Sequence, residues 1–574
     1  MTSDERKPRS GEPRGARGAL SLSLDLALLA PVCALYAAAR VWRLGATCLW
    51  FDEIFGVHAA EWHGWGDGLR FVALDLIHPP LFYALLKVWI AVTGAGASAW
   101  WLRMFAVVAS VCAVVPLALL ARELRLSAGA TRLAVLLAAV SGILIKYAQE
   151  LRMYSLLLLL ATCSLWLFAR LCNSTARARD GDAAGRGGEA RRGDKSRRAG
   201  DASRVACALF VVNLLLVYTH YFGWLVVALE VAFVALFARE RLKVFASSVA
   251  ALAACFAPWV GAVWRAARGV GGGFEQNLGW APRPRAWEIF EPYLRLHEPF
   301  RAQQQSDEPA VVGVSVVLAI VVFAPPLVAV CWRVFARRNA SAADGAPVGV
   351  ACERRAVVFL AFFALAPVVA AFALAQVLPQ SIWGVRHLIV AAPAYLLLAA
   401  HALASLRPQW LAVTLKIVLG CWLALAALVA LMRPAPAPVW CAWGALALDA
   451  ARDEETARGG ATKIYAFEDL AAYQVWYALR AAGETRLRVA VVRDAPGVAQ
   501  DRAFFLPRGF DEILVERAGE AVNEEEFWVV WRGAAGDEEY PPLVALRARG
   551  YAIARLYERD ADGQKAFVAL ARRR

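Results

Sequence analysis

Residues 49–58 read LWFDEIFGVH, so two adjacent carboxylates, Asp52 and Glu53, sit in an apolar and aromatic stretch. Three other short polar clusters have the same character: HPP at 78–80, YAQELRMY at 147–154 and WGVRH at 383–387. A carboxylate in such surroundings is suited to take a proton from a reacting group. Arg152 and Arg386 are cations whose planar guanidinium forks match a phosphate. A helix opening at Pro79 would turn free N–H groups toward the same anion. Gln149, Glu150 and Arg152 stand at a break between two apolar stretches, with almost no loop to hold them in water, and polar groups at that depth have partners. Each cluster also has a plain reading: a carboxylate pair beyond a span can be solvated surface, and two prolines after His78 can simply start a helix.

The elements that must hold these clusters are membrane spans. Of the 574 residues, 60% are hydrophobic and 19% charged, with a mean hydropathy of +0.49, which excludes an ordinary soluble enzyme. Eleven apolar runs read as spans: 20–42, 101–121, 132–147, 153–171, 205–222, 223–238, 244–264, 310–332, 356–376, 387–405 and 410–431. The expected fold class is an α-helical polytopic membrane protein over 20–431, followed over 432–574 by a small soluble α/β domain in which RLRVAVV and FWVVW read as strands. Residues 1–19, with Arg6, Lys7, Arg9, Arg14 and Arg17, form a basic cytoplasmic N-terminus, and no small-residue cleavage site follows the first run, which is therefore retained as span one.

The segment 79–94 is short, carries Lys87 midway and opens on prolines. Read as an interfacial helix and not a span, it places the Arg- and Lys-rich loops 122–131, 172–204, 239–243 and 333–355 inside together. The outer loop 43–100, the loops 148–152, 265–309 and 377–386, and the C-terminal domain then share the extracytoplasmic face. Loop 172–204, biased to Gly, Ala, Arg and Asp, reads as a disordered cytoplasmic linker, on the wrong side for glycosylation of its Asn173-Ser174-Thr175 sequon. Tyr218, His220 and Tyr221 emerge on the outer side, where an aromatic belt explains the tyrosines almost as well as a pocket does.

The net charge of +14 does not indicate a nucleic-acid partner, because the basic residues lie in loops between spans and not along one face. The eleven cysteines form no CxxC pair and read as packing residues. Only Cys48 and Cys441 face the oxidising side; a bridge between them is open, but nothing in the sequence sets their distance and the balance is against one. Asp52, Glu53, His58 and His78 could together hold a divalent metal, though no ligand spacing is diagnostic.

In order and spacing, LWFDE, HPPLFYALLKVW, WLRMFAVVASVCAVVPLALLARELRL and YAQELRMYSLLLL resemble the membrane glycosyltransferases of the GT-C superfamily, in particular the family-39-like group of protein O-mannosyltransferases and aminoarabinose transferases. The resemblance covers 20–431 and implies a polyprenyl-phosphate sugar donor, with Asp52 as the base of an inverting displacement. Glu53 would orient the acceptor or bind sugar hydroxyls, or only support its neighbour. Arg152 and Arg386 would hold the departing phosphate, with His78, Gln149 and Glu150 beside them. Tyr147, Tyr154, Tyr218, His220, Tyr221 and His387 would line the sugar or acceptor pocket. One departure is Ala148, where relatives commonly carry Ser after the Tyr.

The implied partners are the lipid-linked donor, a protein, glycan or lipid acceptor, and membrane lipids. The Ala- and Arg-rich composition fits a bacterial inner membrane with the site facing the periplasm or exterior. A transporter or lipid-linked sugar flippase is the rival reading, and a non-catalytic scaffold a second; against the first, no inverted repeat is visible and the polar residues gather at one face, not at the bilayer midplane.

Overall fold

The computed structural model describes residues 29–574 apart from 63, 95–97, 184–189, 270–274, 280, 302–303, 306–307, 341–347, 496, 499–503, 519–523 and 534–538; the side chains of 174–199, 275, 278, 335–350 and 455 are also outside the description. The basic N-terminal segment and the first part of span one therefore lie outside the described residues.

The chain begins with α1 (Leu29–Val41), α2 (Phe51–Glu61), α3 (Trp65–Asp75) and α4 (Leu81–Thr93). Helix α5 (Ala99–Cys112) continues through Ala113 into α6 (Val114–Glu123), and α7 (Ala128–Val140) through Ser141 into α8 (Gly142–Ala148). Next come α9 (Tyr154–Ala183), α10 (Ala190–Thr219), α11 (Phe222–Phe237), α12 (Leu242–Gly269), the short α13 (Glu275–Leu278) and α14 (Glu291–His297). The membrane part ends with α15 (Pro309–Ala340), α16 (Val348–Val377), a 3-10 turn His387–Ala391 leading into α17 (Ala392–Ala404), and α18 (Gln409–Met432).

Among the described residues, eight helical stretches are long and apolar enough to cross a membrane, and α1, α7 and α11 are shorter apolar helices that match the other three expected spans. Helix α4, at 13 residues, rises only about 20 Å and is too short for a hydrocarbon core of roughly 30 Å. The α7–α8 break has a local cause. Gly142 N–H donates to the Glu298 carbonyl at 2.6 Å, and a Cβ on Gly142 would lie 2.6 Å from that oxygen. The loop at Glu298 thus clamps the chain just before the YAQELRMY cluster.

The stretch 172–204 differs from expectation. Helix α9 runs on to Ala183 and α10 resumes at Ala190, so much of the expected linker is helical, in keeping with the high helix propensity of Ala and Arg. Residues 184–189 lie outside the described residues.

The C-terminal domain comprises α19 (Val439–Arg452), α20 (Glu454–Ala457), β1 (Lys463–Ala466), α21 (Asp469–Ala481), β2 (Arg488–Arg493), β3 (Leu514–Arg517), β4 (Glu526–Gly533), α22 (Pro541–Ala548), β5 (Tyr551–Ala561) and β6 (Gln564–Arg573). The sheet order is β3-β2-β1-β4-β6-β5, with β3, β2, β1 and β4 parallel and the β5–β6 hairpin antiparallel. The runs RLRVAVV and FWVVW supply β2 and β4, which read as unbroken apolar stretches because both faces of these central strands are buried.

This domain shares its core with the membrane part. Phe51 packs on Tyr473 with ring centroids 5.0 Å apart, Gln474 Nε2 donates to the Leu49 carbonyl at 2.9 Å, and Arg480 pairs with Glu61 at 3.4 Å. Cys48 and Cys441 are joined in a disulfide, with Cα atoms 5.5 Å apart. That corrects the sequence reading of this pair: Cys441 lies on α19, α19 packs on α21, and α21 meets the chain beside Cys48 through Gln474 and Leu49, 425 residues apart in sequence.

Candidate active site

The two carboxylates of LWFDE diverge because they are neighbours on a helix. With Trp50 as the N-cap of α2, Asp52 and Glu53 occupy successive positions about 100° apart around the axis. Asp52 lines a cavity and its side chain is 25% exposed. Glu53 turns into the core. It pairs with Arg103, accepting from Nε at 2.9 Å and Nη2 at 2.8 Å, both side chains having 0% exposure. It also accepts the Leu151 N–H at 2.8 Å and the Trp50 N–H at 3.1 Å. Arg103 is itself held by the carbonyls of Leu44, Thr47 and Cys48. The expected catalytic role of Glu53 is corrected accordingly: it does not line the cavity, and its bonds tie α2 to the 149–152 break.

That break delivers Arg152, which is buried. Nη2 of Arg152 lies 3.9 Å from Asp52 Oδ2, and Nη1 donates to the Asp52 carbonyl at 3.2 Å. Nη2 also approaches His78 Nε2 at 2.9 Å. Arginine has only donors, so Nε2 must present its lone pair and His78 is neutral, with its proton on Nδ1 directed to Asp75 Oδ2. Burial lowers the pKa of His78, with Asp75 opposing and Arg152 reinforcing that shift. His78 lines the cavity, and its Nε2 is taken up by Arg152. The expected contribution from the helix N-terminus is absent: α4 starts at Leu81, and none of 79–82 lines the cavity.

An aromatic wall faces these groups. Tyr154, the first residue of α9, packs within 6.3 Å of His220 and 6.2 Å of His387, while His220 and His387 are 5.0 Å apart and Phe222 is 5.0 Å from His387. The Arg386 guanidinium sits 5.9 Å from the Tyr154 ring centre. Tyr221 completes the wall, its hydroxyl 3.4 Å from the Leu76 carbonyl.

The cavity has a volume of about 240 Å³ and gathers Asp52, His78, Arg152, Tyr154, His220, Tyr221, Arg386 and His387 from five separate stretches of sequence. Other expected site residues lie elsewhere. Gln149 donates to the carbonyls of Arg40 and Trp42 and so caps the end of α1. Tyr147 stacks behind Tyr154 at 4.9 Å. Tyr218 points to α12, its hydroxyl donating to the Cys255 carbonyl at 2.8 Å. Glu150 is buried beside the cavity without lining it; burial pushes its carboxyl up to about 7, with Lys146 opposing and Glu53 and Asp52 adding to the shift.

Asp52, Glu53, His58 and His78 are not brought together as one ligand set, since Glu53 is committed to Arg103 and His58 packs among Trp62, Phe71, Trp476 and Phe510. Among the described residues no three His, Cys, Asp or Glu side chains are grouped to hold a metal ion.

Several lining residues escaped the sequence reading: Asp75, Gln276, Asn277 and the C-terminal-domain loop Phe505 to Arg508. Arg508 ties three segments together, donating to Gln276 Oε1 at 3.1 Å and to the Leu74 carbonyl at 3.2 Å. The next residue, Gly509, has φ +75, and a Cβ there would come within 2.9 Å of Leu74, so this loop is closely seated on α3.

No protein-family model matches the chain, and no curated protein matches it. Among solved structures it is similar to ArnT from Cupriavidus metallidurans bound to undecaprenyl phosphate, with a TM-score of 0.52 and 14% identity, covering 95% of this chain and 97% of that one. The apo state of the same protein gives a TM-score of 0.52 and 14% identity over 97% of this chain and 98% of that one. The Archaeoglobus fulgidus oligosaccharyltransferase in the apo form aligns at a TM-score of 0.45 and 12% identity over 80% of this chain, which spans 64% of that protein's length. At this identity the likeness to ArnT is one of fold. The chain is an integral membrane protein with an ArnT-like fold that extends over the C-terminal mixed-sheet domain.

Proposed function

We propose that the protein is an inverting glycosyltransferase that moves a sugar from a polyprenyl-phosphate donor to an acceptor hydroxyl on the extracytoplasmic face of the membrane. The observation that carries this reading is the meeting of one cavity-facing carboxylate, Asp52, with Arg152 and Arg386 and an aromatic wall in one cavity. Asp52 takes the proton from the acceptor hydroxyl as its oxygen bonds to the anomeric carbon. The bond from that carbon to the phosphate oxygen breaks on the opposite face, and its electron pair leaves with the polyprenyl phosphate. Arg152 and Arg386 stabilise the charge that grows there. Tyr154, His220 and His387 offer faces against which a sugar ring packs.

The fold likeness to ArnT, whose structure holds undecaprenyl phosphate, supports the choice of a polyprenyl donor. The setting we favour is a bacterial inner membrane with the cavity toward the periplasm or exterior, the side to which a Cys48–Cys441 disulfide belongs. The acceptor is a hydroxyl on a protein, glycan or lipid. The test is incubation of membranes with a panel of radiolabelled polyprenyl-phosphate sugars. Consumption of one donor with label appearing on an acceptor supports transfer, whereas movement of an intact donor across the bilayer without cleavage would favour the transporter reading.

A further inference from the structure

We infer that Asp75 is a positioning residue of the donor-phosphate site, acting through the tautomer of His78; this rests on the proposed glycosyl transfer. Asp75 closes α3 and lines the cavity, three residues before His78. Its two carboxylate oxygens have different tasks. Oδ2 receives the Nδ1–H of His78, and Oδ1 receives Asn277 Nδ2 at 2.8 Å. The same Asn277 nitrogen also donates to the Asp75 main-chain carbonyl at 2.5 Å, which sets its orientation. With the proton held on Nδ1, His78 Nε2 is left as an acceptor for Arg152 Nη2 at 2.9 Å. Donation converges on the Asp75 carboxylate, from Asn277 on one side and from Arg152 by way of His78 on the other, and the second arm starts at the guanidinium beside Asp52. Each link settles the next, so the aim of Arg152 depends on a carboxylate it does not touch.

An amide at position 75 cannot serve both neighbours. If its oxygen faces His78, its NH₂ meets the NH₂ of Asn277, which cannot turn over without setting its own oxygen against the Asp75 carbonyl. If its oxygen faces Asn277, its NH₂ meets His78 Nδ1 and forces the proton to Nε2, where it opposes the N–H of Arg152. Only the carboxylate accepts on both sides.

The experiment compares Asp75→Asn, His78→Gln and the double variant, in purified full-length protein, for donor KM and kcat. A glutamine amide can offer its oxygen to Arg152 without any tautomer to be set. Asp75→Asn alone should lower kcat/KM for the donor on the order of 10–100-fold, chiefly through KM. In the His78→Gln background the same change should cost less than about 3-fold, because the coupling runs through the imidazole. Equal losses in both backgrounds would reduce Asp75 to a scaffold residue and overturn the inference. A second readout needs no donor: ¹⁵N NMR of histidine-labelled wild-type protein, with the His78 signal identified by its loss in His78→Gln. The Nδ1–H tautomer is expected, and an Nε2–H tautomer would overturn the inference even if Asp75→Asn fails to fold. Should no polyprenyl donor be consumed by wild type, the proposed function fails while this tautomer assignment still stands or falls on its own.

Discussion

Substituting Glu53 by Gln keeps the side-chain volume but removes one charge from a pair at 0% exposure on both sides. Glu53 accepts from four N–H groups, two of them on Arg103. Its amide replacement has one oxygen for them, and its NH₂ must face at least one donor. Arg103 keeps its bonds to the Leu44, Thr47 and Cys48 carbonyls but loses its counter-charge. Breaking a buried pair from one side costs about 3–5 kcal/mol. An unfolding entropy of about 2.1 cal/mol/K per residue gives about 1.2 kcal/mol/K over 574 residues, so the melting temperature should fall by roughly 2.5–4 °C. The assay is a thermal-shift measurement in detergent, paired with transfer activity per folded molecule. A catalytic Glu53 would give the opposite pattern: an unchanged melting temperature with turnover abolished would refute the structural role assigned here.

Burial raises the Glu150 carboxyl to about 7 from an ordinary 4.5, so the stability linked to its protonated form is complete below about pH 4.5 and is lost as pH rises through about 7. The wild-type melting temperature should therefore fall between about pH 4.5 and 7 and level off above that, and Glu150→Gln should flatten that slope; an identical slope in the variant would count against the assignment. Arg152→Ala should lower donor turnover roughly 10²–10³-fold, and Arg152→Lys should recover only part of it, because an ammonium lacks the planar fork; full wild-type turnover in the alanine variant would remove Arg152 from the phosphate site. Alkylation under denaturing, non-reducing conditions followed by mass spectrometry should find nine free thiols, and eleven after reduction, if Cys48 and Cys441 are bridged; eleven before reduction would contradict the bridge.

The parts of the site that were legible in the sequence are those set by local pattern. Asp52, Arg152 and Arg386 stand at breaks in apolar runs, where a polar residue needs a reason, and all three reach the cavity. The split between Asp52 and Glu53 was not legible, because it depends on which face of α2 meets Arg103, and WLRMF looks like an ordinary span entrance. Asp75 could have been found: LDLIHPP puts it three residues before His78, within reach across one turn. The wall supplied by Phe505 to Arg508 had no such signal. It comes from a domain some 430 residues downstream of Leu74, and only the docking of that domain brings FFLPRG over the cavity. In the fold, the long apolar helices followed from hydropathy and two strands, β2 and β4, from their apolar runs, while the short helices α2, α3, α13 and α14, the disulfide and the helical extensions into 172–204 depended on contacts and propensities that span-counting ignores.

The most direct test of the central claim is sugar transfer by purified Asp52→Asn, measured beside donor binding in the same preparation. The asparagine is nearly isosteric and keeps an oxygen toward Arg152, so donor binding should remain within a few-fold of wild type. It cannot take a proton from the acceptor, and transfer should fall about 10²–10⁴-fold. Transfer at the native rate with Asn at position 52 would contradict the account and place the base elsewhere.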